Sequence, residues 1–228
     1  MKVAALVSGG KDSVFAIQKM MADGYDVVCM ACLVPKNPES YMFHAINTRL
    51  VADISEACGL PLLYQETSGV KEEELADMRS ALFELKSRYG VSGVCTGAIE
   101  SVYQKSRVER VCQELGLETF SPLWKNDPEW LLSEMIDIGM EIIFVTVAAD
   151  GFDEHWLGRR LDHAALSDLL CLHRQSYVHV AGEGGEFETA VLDAPFFKKR
   201  IVPVKTRSRW MKNRGYFDIL ETQLVDKD

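Results

Sequence analysis

The sequence predicts an α/β protein in two parts: a parallel sheet flanked by helices over residues 1–125, then a smaller α+β region over residues 126–228. Three observations predict it. Residues 2–7 and 26–34 are short runs dominated by Val, Ala, Cys, Met and Leu, the pattern of strands covered on both faces. Segments with helical apolar spacing separate such runs, and each is closed by a glycine (Gly24, Gly59, Gly90, Gly116). Near residues 122–128 the alternation stops, and strand-like stretches punctuated by Pro195 and Pro203 dominate the rest.

In order, the strand over 2–7 turns at Ser8-Gly9-Gly10 into a helix over 12–22, whose stripe is Val14, Phe15, Ile17 and Met21. The strand over 26–34 leads through a loop to a helix over 44–58. A short strand at 62–64, a charged amphipathic helix over 72–89, a strand over 91–96 and a helix over 101–115 complete the first domain. Strands alternating with helices at this spacing make βαβ units and hence a parallel sheet. The second domain is expected to hold helices over 128–138 and 162–174, strands over 140–148 and 177–181, and a hairpin joining 207–211 to 216–225. Its turn reads Lys212-Asn213-Arg214-Gly215, with Gly215 supplying the positive φ.

The net charge of −9 disfavours a nucleic-acid partner, because proteins that hold DNA or tRNA across a broad face carry a basic surplus. Residues 198–214, however, hold eight Lys or Arg and no acid, which leaves 17 basic against 34 acidic residues elsewhere. That stretch reads either as a docking patch for an acidic partner or as strands with solvated charged faces. No apolar stretch approaches the roughly 20 residues of a membrane span, and the opening residues do not read as a secretory signal. A cytoplasmic protein with reduced thiols is therefore expected, with no membrane partner. Cys29 and Cys32 form a C-x-x-C, but residues three apart in a strand face opposite sides and cannot share a metal. No metal-ligand set is assigned among the side chains.

Ser8-Gly9-Gly10-Lys11-Asp12-Ser13 stands between the first strand and the first helix. Two glycines let the main chain approach an anion closely. The N–H groups opening a helix carry partial positive charge. Lys11 adds a full charge, Ser8 and Ser13 add hydroxyls, and Asp12 could hold Mg²⁺ or position the loop. The pattern is not G-x-x-x-x-G-K-[ST], since only Gly9-Gly10 precede the lysine, nor is it G-x-G-x-x-G. It resembles the pyrophosphate loop (PP-loop) of the N-type ATP pyrophosphatases, in the adenine-nucleotide alpha-hydrolase superfamily. That resemblance implies a Rossmann-like, HUP-type domain that cleaves ATP between the α and β phosphates and adenylates a substrate. Ligands of such sheets lie at the carboxyl ends of the strands. Ala31-Cys32-Leu33 is then expected at the adenine, and Thr96-Gly97-Ala98 near the ribose and α-phosphate.

In the second half, Gly182-Glu183-Gly184-Gly185-Glu186-Phe187-Glu188-Thr189 packs three carboxylates and three glycines into eight residues. Taken alone it is either a ligand loop, whose acids could orient ammonium or act as general base, or a solvated turn. Together with the 8–13 loop, Ser40-Tyr41-Met42, Gly97-Ala98-Ile99, Tyr103-Gln104, Arg107-Val108-Glu109, Pro122-Leu123-Trp124, Leu157-Gly158-Arg159, Asp193 and Pro195, it makes the chain resemble the diphthine–ammonia ligase family. The likeness is to the short archaeal-type form, eukaryotic relatives being expected to carry added C-terminal domains.

The resemblance implies that Mg-ATP adenylates the carboxylate of diphthine, a modified histidine on translation elongation factor 2. Ammonium then displaces AMP to give the amide. Lys11, Asp12, Glu183, Glu186 and Glu188 are the expected catalytic residues. Ser8, Gly9, Gly10, Ser13, Leu33, Thr96 and Gly97 are expected around ATP, and Tyr41, Gln104, Arg107, Gly184 and Gly185 around the substrate. Gln104 and Arg107 share one helical face. Only about 100 residues follow the first domain, with no glutaminase nucleophile arrangement, so free ammonium is the simpler nitrogen source. Whether the chain forms a homo-oligomer is open. Two alternatives stand beside this reading: a pyrophosphatase amidating a small-molecule carboxylate, and a nucleotide-binding regulator without chemistry.

Overall fold

The computed structural model describes residues 1–35, 49–68 and 74–227. The chain divides into two compact units, Met1–Trp124 and Lys125–Asp228. The first runs β1 (Lys2–Leu6), α1 (Lys11–Ala22), β2 (Asp26–Pro35), α2 (Leu50–Cys58), β3 (Leu62–Thr67), α3 (Glu74–Tyr89), β4 (Gly93–Cys95), α4 (Val102–Glu114) and β5 (Glu118–Phe120). All five strands are parallel, in the order β3-β2-β1-β4-β5. The chain therefore winds outward from β1 in one direction through β2 and β3, then in the other through β4 and β5. The ends of β1 and β4 become neighbours at a topological switch point, the place where open α/β sheets bind ligands.

The apolar runs are explained by burial on both faces: Val3, Ala4 and Ala5 of β1 are all at most 1% exposed. On one face Cys29, Ala31 and Leu33 of β2 pack with Met78, Leu82 and Leu85 of α3 and with Val108, Val111 and Cys112 of α4. β5 was not among the expected strands. Only Phe120 of its three residues is apolar, so nothing local marks it, and its identity comes from the register Gly93↔Glu118 to Cys95↔Phe120 with β4. The start of the helix expected over 44–58 lies outside the described residues.

The second unit runs α5 (Pro128–Asp137), β6 (Glu141–Val147), a short 3-10 turn (Glu154–Trp156), α6 (His163–Ser176), β7 (Phe187–Asp193), β8 (Lys199–Met211) and β9 (Arg214–Asp226). Asp127 caps α5 by accepting from the Trp130 N–H at 2.8 Å, and Asp162 caps α6 through the Ala165 N–H at 2.8 Å. The four strands form an antiparallel sheet in the order β7-β6-β9-β8.

Two expectations here are corrected. Residues 177–181 are not a strand. Tyr177 ends α6 in the left-handed region (φ 56°), and the chain then turns at Val180 and Ala181. Val178 and Val180 are both buried, which produces the apolar alternation of a strand in a stretch that joins no ladder among the described strands. The β8–β9 turn is Lys212-Asn213, with Lys212 at φ 55°. Gly215 lies inside β9 instead, where a Cβ would sit 2.6 Å from the Trp210 ring. No described helix is long and apolar enough to cross a membrane.

Candidate functional site

The 8–13 loop leaves β1 at the switch point and is held by its own hydroxyls. The Ser8 N–H donates to Ser13 Oγ at 3.2 Å, and Ser13 Oγ donates to the Gly10 carbonyl at 3.0 Å. The Gly10 N–H reaches Ser8 Oγ at 3.4 Å. The serines expected as phosphate donors thus also tie the loop into a closed turn. Gly9 takes φ +84°, and a Cβ there would stand 3.2 Å from Val51 of α2, so both backbone conformation and space call for glycine. α1 begins at Lys11, and the first-turn N–H groups of any helix lack acceptors four residues back. Lys11 is 3% exposed, with Nζ 2.9 Å from Asp12 Oδ2. Asp12 Oδ1 is buried and has no hydrogen-bond partner among the described residues.

β4 brings Thr96 and Gly97 against this loop. A Cβ at Gly97 would lie 2.6 Å from the Asp12 carbonyl carbon and 2.6 Å from the Ser13 nitrogen. Gly97 therefore packs main chain on main chain and fixes how closely β4 approaches the start of α1. Thr96 is buried, and its Oγ1 accepts from the Ala98 N–H at 3.1 Å. On α4, the Gln104 N–H donates to the N-cap Ser101 Oγ. The Arg107 guanidinium lies over the Tyr103 ring at 3.4 Å, on its own helix. Leu33, expected at the adenine, sends its side chain into the core beside Leu75 and Met78, so only its main chain is left for a base. Tyr41 lies outside the described residues.

In the second unit, residues 179–186 form two successive turns, with Gly182 N–H donating to the His179 carbonyl and Gly185 N–H to that of Gly182. Phe187, buried with Phe144, Phe152 and Trp156, anchors the exit into β7. Glu183, Gly184 and Gly185 are exposed and Glu186 is half-buried. Glu186 Oε1 accepts from the His179 N–H at 2.9 Å, whereas Oε2 is buried with no partner among the described residues. A Cβ at Gly184 would come within 2.7 Å of Glu186 Oε1. Glu188 is separated from the other two acids by Phe187 and lies in β7 opposite Thr146. A β-bulge in β6 between Phe144 and Thr146 interrupts the ladder there, and bulges commonly re-aim side chains beside functional sites. His179 was not singled out from the sequence, because an isolated histidine between two valines reads as part of a strand.

Burial pushes the Cys29, Cys32 and Cys95 thiols up to about 12. Thiols held protonated by burial are poor nucleophiles for disulfide exchange, and Cys29 and Cys32 belong to the core. Among the described residues no group of three or more His, Cys, Asp or Glu could hold a metal ion.

A family model for the diphthamide synthase N-terminal domain matches residues 1–119, and one for the diphthamide synthase C-terminal domain matches residues 127–225. The diphthine–ammonia ligase of Bos taurus is 38% identical over 251 aligned positions, covering 100% of this chain and 94% of that protein. The diphthine–ammonia ligase of Danio rerio is 39% identical over 221 positions, covering 89% and 86%. That of Schizosaccharomyces pombe is 37% identical over 219 positions, covering 89% of this chain but 36% of its own length. Large added length thus marks the fungal relative and not the two vertebrate ones, which narrows the expectation made for eukaryotic relatives in general.

Proposed function

The chain belongs to the diphthamide synthase family, and from that premise we propose that it is an ATP-dependent, AMP-forming C–N ligase of the cytoplasm. It amidates the carboxylate of diphthine on translation elongation factor 2 with ammonium. The observation that carries the reading is the 8–13 loop: a closed glycine turn with a lysine, leading into a helix N-terminus at the β1/β4 switch point.

In the first half-reaction a carboxylate oxygen of the substrate attacks the α-phosphorus, the α–β bridge breaks, and pyrophosphate leaves. The loop N–H groups and Lys11 meet the charge that collects on pyrophosphate; one such preorganised donor is commonly worth about 3 kcal/mol. Lys11 now rests on Asp12, 2.9 Å away. Phosphate oxygens would take over Lys11 and release the Asp12 carboxylate. That carboxylate, with one oxygen already unspent, fits a hard cation. Asp12 would be a protein ligand of Mg²⁺, which characteristically takes most of its other ligands from phosphates and water.

In the second half-reaction ammonia attacks the acyl carbon, AMP leaves and the amide nitrogen sheds one proton to water, the bound ammonium having first given up another to become the nucleophile. Glu183 and the unspent Glu186 Oε2 would hold ammonium and accept that proton, with Glu188 supporting them from β7. Gly184 makes room for the Glu186 carboxylate and Gly185 leaves open space for the substrate, and Gln104 and Arg107 would steady its carboxylate or the α-phosphate.

The test is transfer of isotopically labelled ammonium to diphthine-bearing elongation factor 2, read by mass spectrometry of the modified peptide. Label in the peptide only with ATP present supports the reading. AMP formation with a small carboxylate but not with the factor would move the assignment to the small-molecule alternative, and ATP binding without turnover would move it to the regulator.

A further inference from the structure

We infer that His179 is the positioning residue of the ammonia-handling loop, a neutral imidazole that fixes the main chain of residues 181–186. The inference rests on the reading of that loop as the ammonium site. Four hydrogen bonds converge on this one residue. Its N–H donates to Glu186 Oε1 at 2.9 Å, and its carbonyl accepts from the Gly182 N–H at 2.9 Å. Its ring Nδ1 accepts from the Ala181 N–H at 3.1 Å and from the Glu183 N–H at 3.4 Å. A ring nitrogen that accepts carries no proton, so the tautomer is the one with hydrogen on Nε2. A proton on Nδ1 would aim a donor at two donors.

The consequence reaches both acids given to ammonium. Glu186 has one oxygen bound by the His179 main chain, which sets the direction of the other, Oε2. Glu183 has its main chain held by the imidazole while its side chain stays exposed. The base under His179 is itself firm. The His173 Nδ1–H donates to the Val178 carbonyl at 2.9 Å, and Val178 and Val180 are buried on either side. His179 thus transmits a fixed α6 terminus to a glycine-rich loop that could not hold one conformation by itself.

The experiment compares His179→Ala and His179→Asn. Asparagine keeps a side-chain oxygen able to accept from the N–H two residues on, as in an Asx turn. With diphthine-bearing elongation factor 2, His179→Ala should raise the KM for ammonium about tenfold, the factor carried by a lost neutral hydrogen bond. ATP–pyrophosphate exchange in the absence of ammonium should keep its wild-type rate, and His179→Asn should restore most of the ammonium affinity. Hydrogen exchange of the Ala181 and Glu183 amides should quicken in His179→Ala and recover in His179→Asn. An alanine variant with unchanged ammonium KM and unchanged amide protection overturns the proposal, as does one that loses pyrophosphate exchange equally. If wild type shows no ammonium-dependent AMP release, the functional reading fails, and amide protection alone then decides the role of His179.

Discussion

Gly97 shows how one missing side chain can place two elements. The main chain of Asp12 and Ser13 occupies the position a Cβ would need, and neither is a flexible chain end that could swing aside. Gly97→Ala should therefore separate β4 from the start of α1, at a cost of about 1–3 kcal/mol, the usual penalty of overpacking. The expected result is a lower Tm together with weaker ATP binding in calorimetric titration; a variant matching wild type in both would show that the approach is not needed. The cysteines give a second prediction at this scale. Thiols held near 12 stay protonated at pH 8 and do not alkylate. Cys171 alone among the six is not buried. Iodoacetamide on the native protein should give a first adduct at Cys171 by peptide mass spectrometry. Early labelling of Cys29 or Cys32 would contradict their burial.

Among the elements, the β8–β9 hairpin revises what charge counting suggested. At least four of the eight cations in 198–214 are paired with acids outside that stretch: Arg200 with Glu141, Lys205 with Glu221, and Arg207 and Arg209 with Asp218. The stretch is not the unopposed basic patch that its own residues make it look. Hydrogen bonds from Arg209 and Arg207 hold the Asp218 carboxyl below its usual range, against a smaller opposing effect of burial. A carboxyl depressed on folding adds stability that is complete above its unfolded value, about 3.9, and disappears as pH falls through the lower folded value. Asp218→Asn should thus be less stable than wild type at pH 7, by under about 1 kcal/mol because both arginines are well exposed. The difference should close below pH 4; a gap that persisted in acid would place its cause elsewhere. In the 179–186 loop, Glu186→Gln separates scaffold from charge. The amide oxygen can still accept from His179 N–H, so amide protection should hold, while loss of the charge raises the KM for ammonium. Unchanged ammonium dependence would remove Glu186 from the site.

For the whole molecule, what was legible followed chemistry that is local in sequence. Runs buried on both faces marked β1 and β2, and the 8–13 loop was legible as a glycine turn opening a helix because glycine, lysine and a helix start sit side by side. What was not legible depends on partners far along the chain. β5 is a strand only because β4 lies beside it. Val178 and Val180 are buried without any ladder, which made a turn look like a strand and hid His179. Leu33 lies near the carboxyl end of β2, yet packs inward because α3 covers it. The positive φ expected at Gly215 belongs to Lys212, while Gly215 makes room for Trp210.

The central claim is that the 8–13 loop directs cleavage to the α–β bond of ATP. Product analysis tests it most directly, with ATP, ammonium and diphthine-bearing elongation factor 2, comparing wild type with Lys11→Ala. The account predicts AMP and pyrophosphate in equal amounts with the amide formed, and a Lys11→Ala rate about 100-fold lower, as for loss of one preorganised charge. ADP and orthophosphate as products, or a Lys11→Ala variant forming AMP at the wild-type rate, would contradict it.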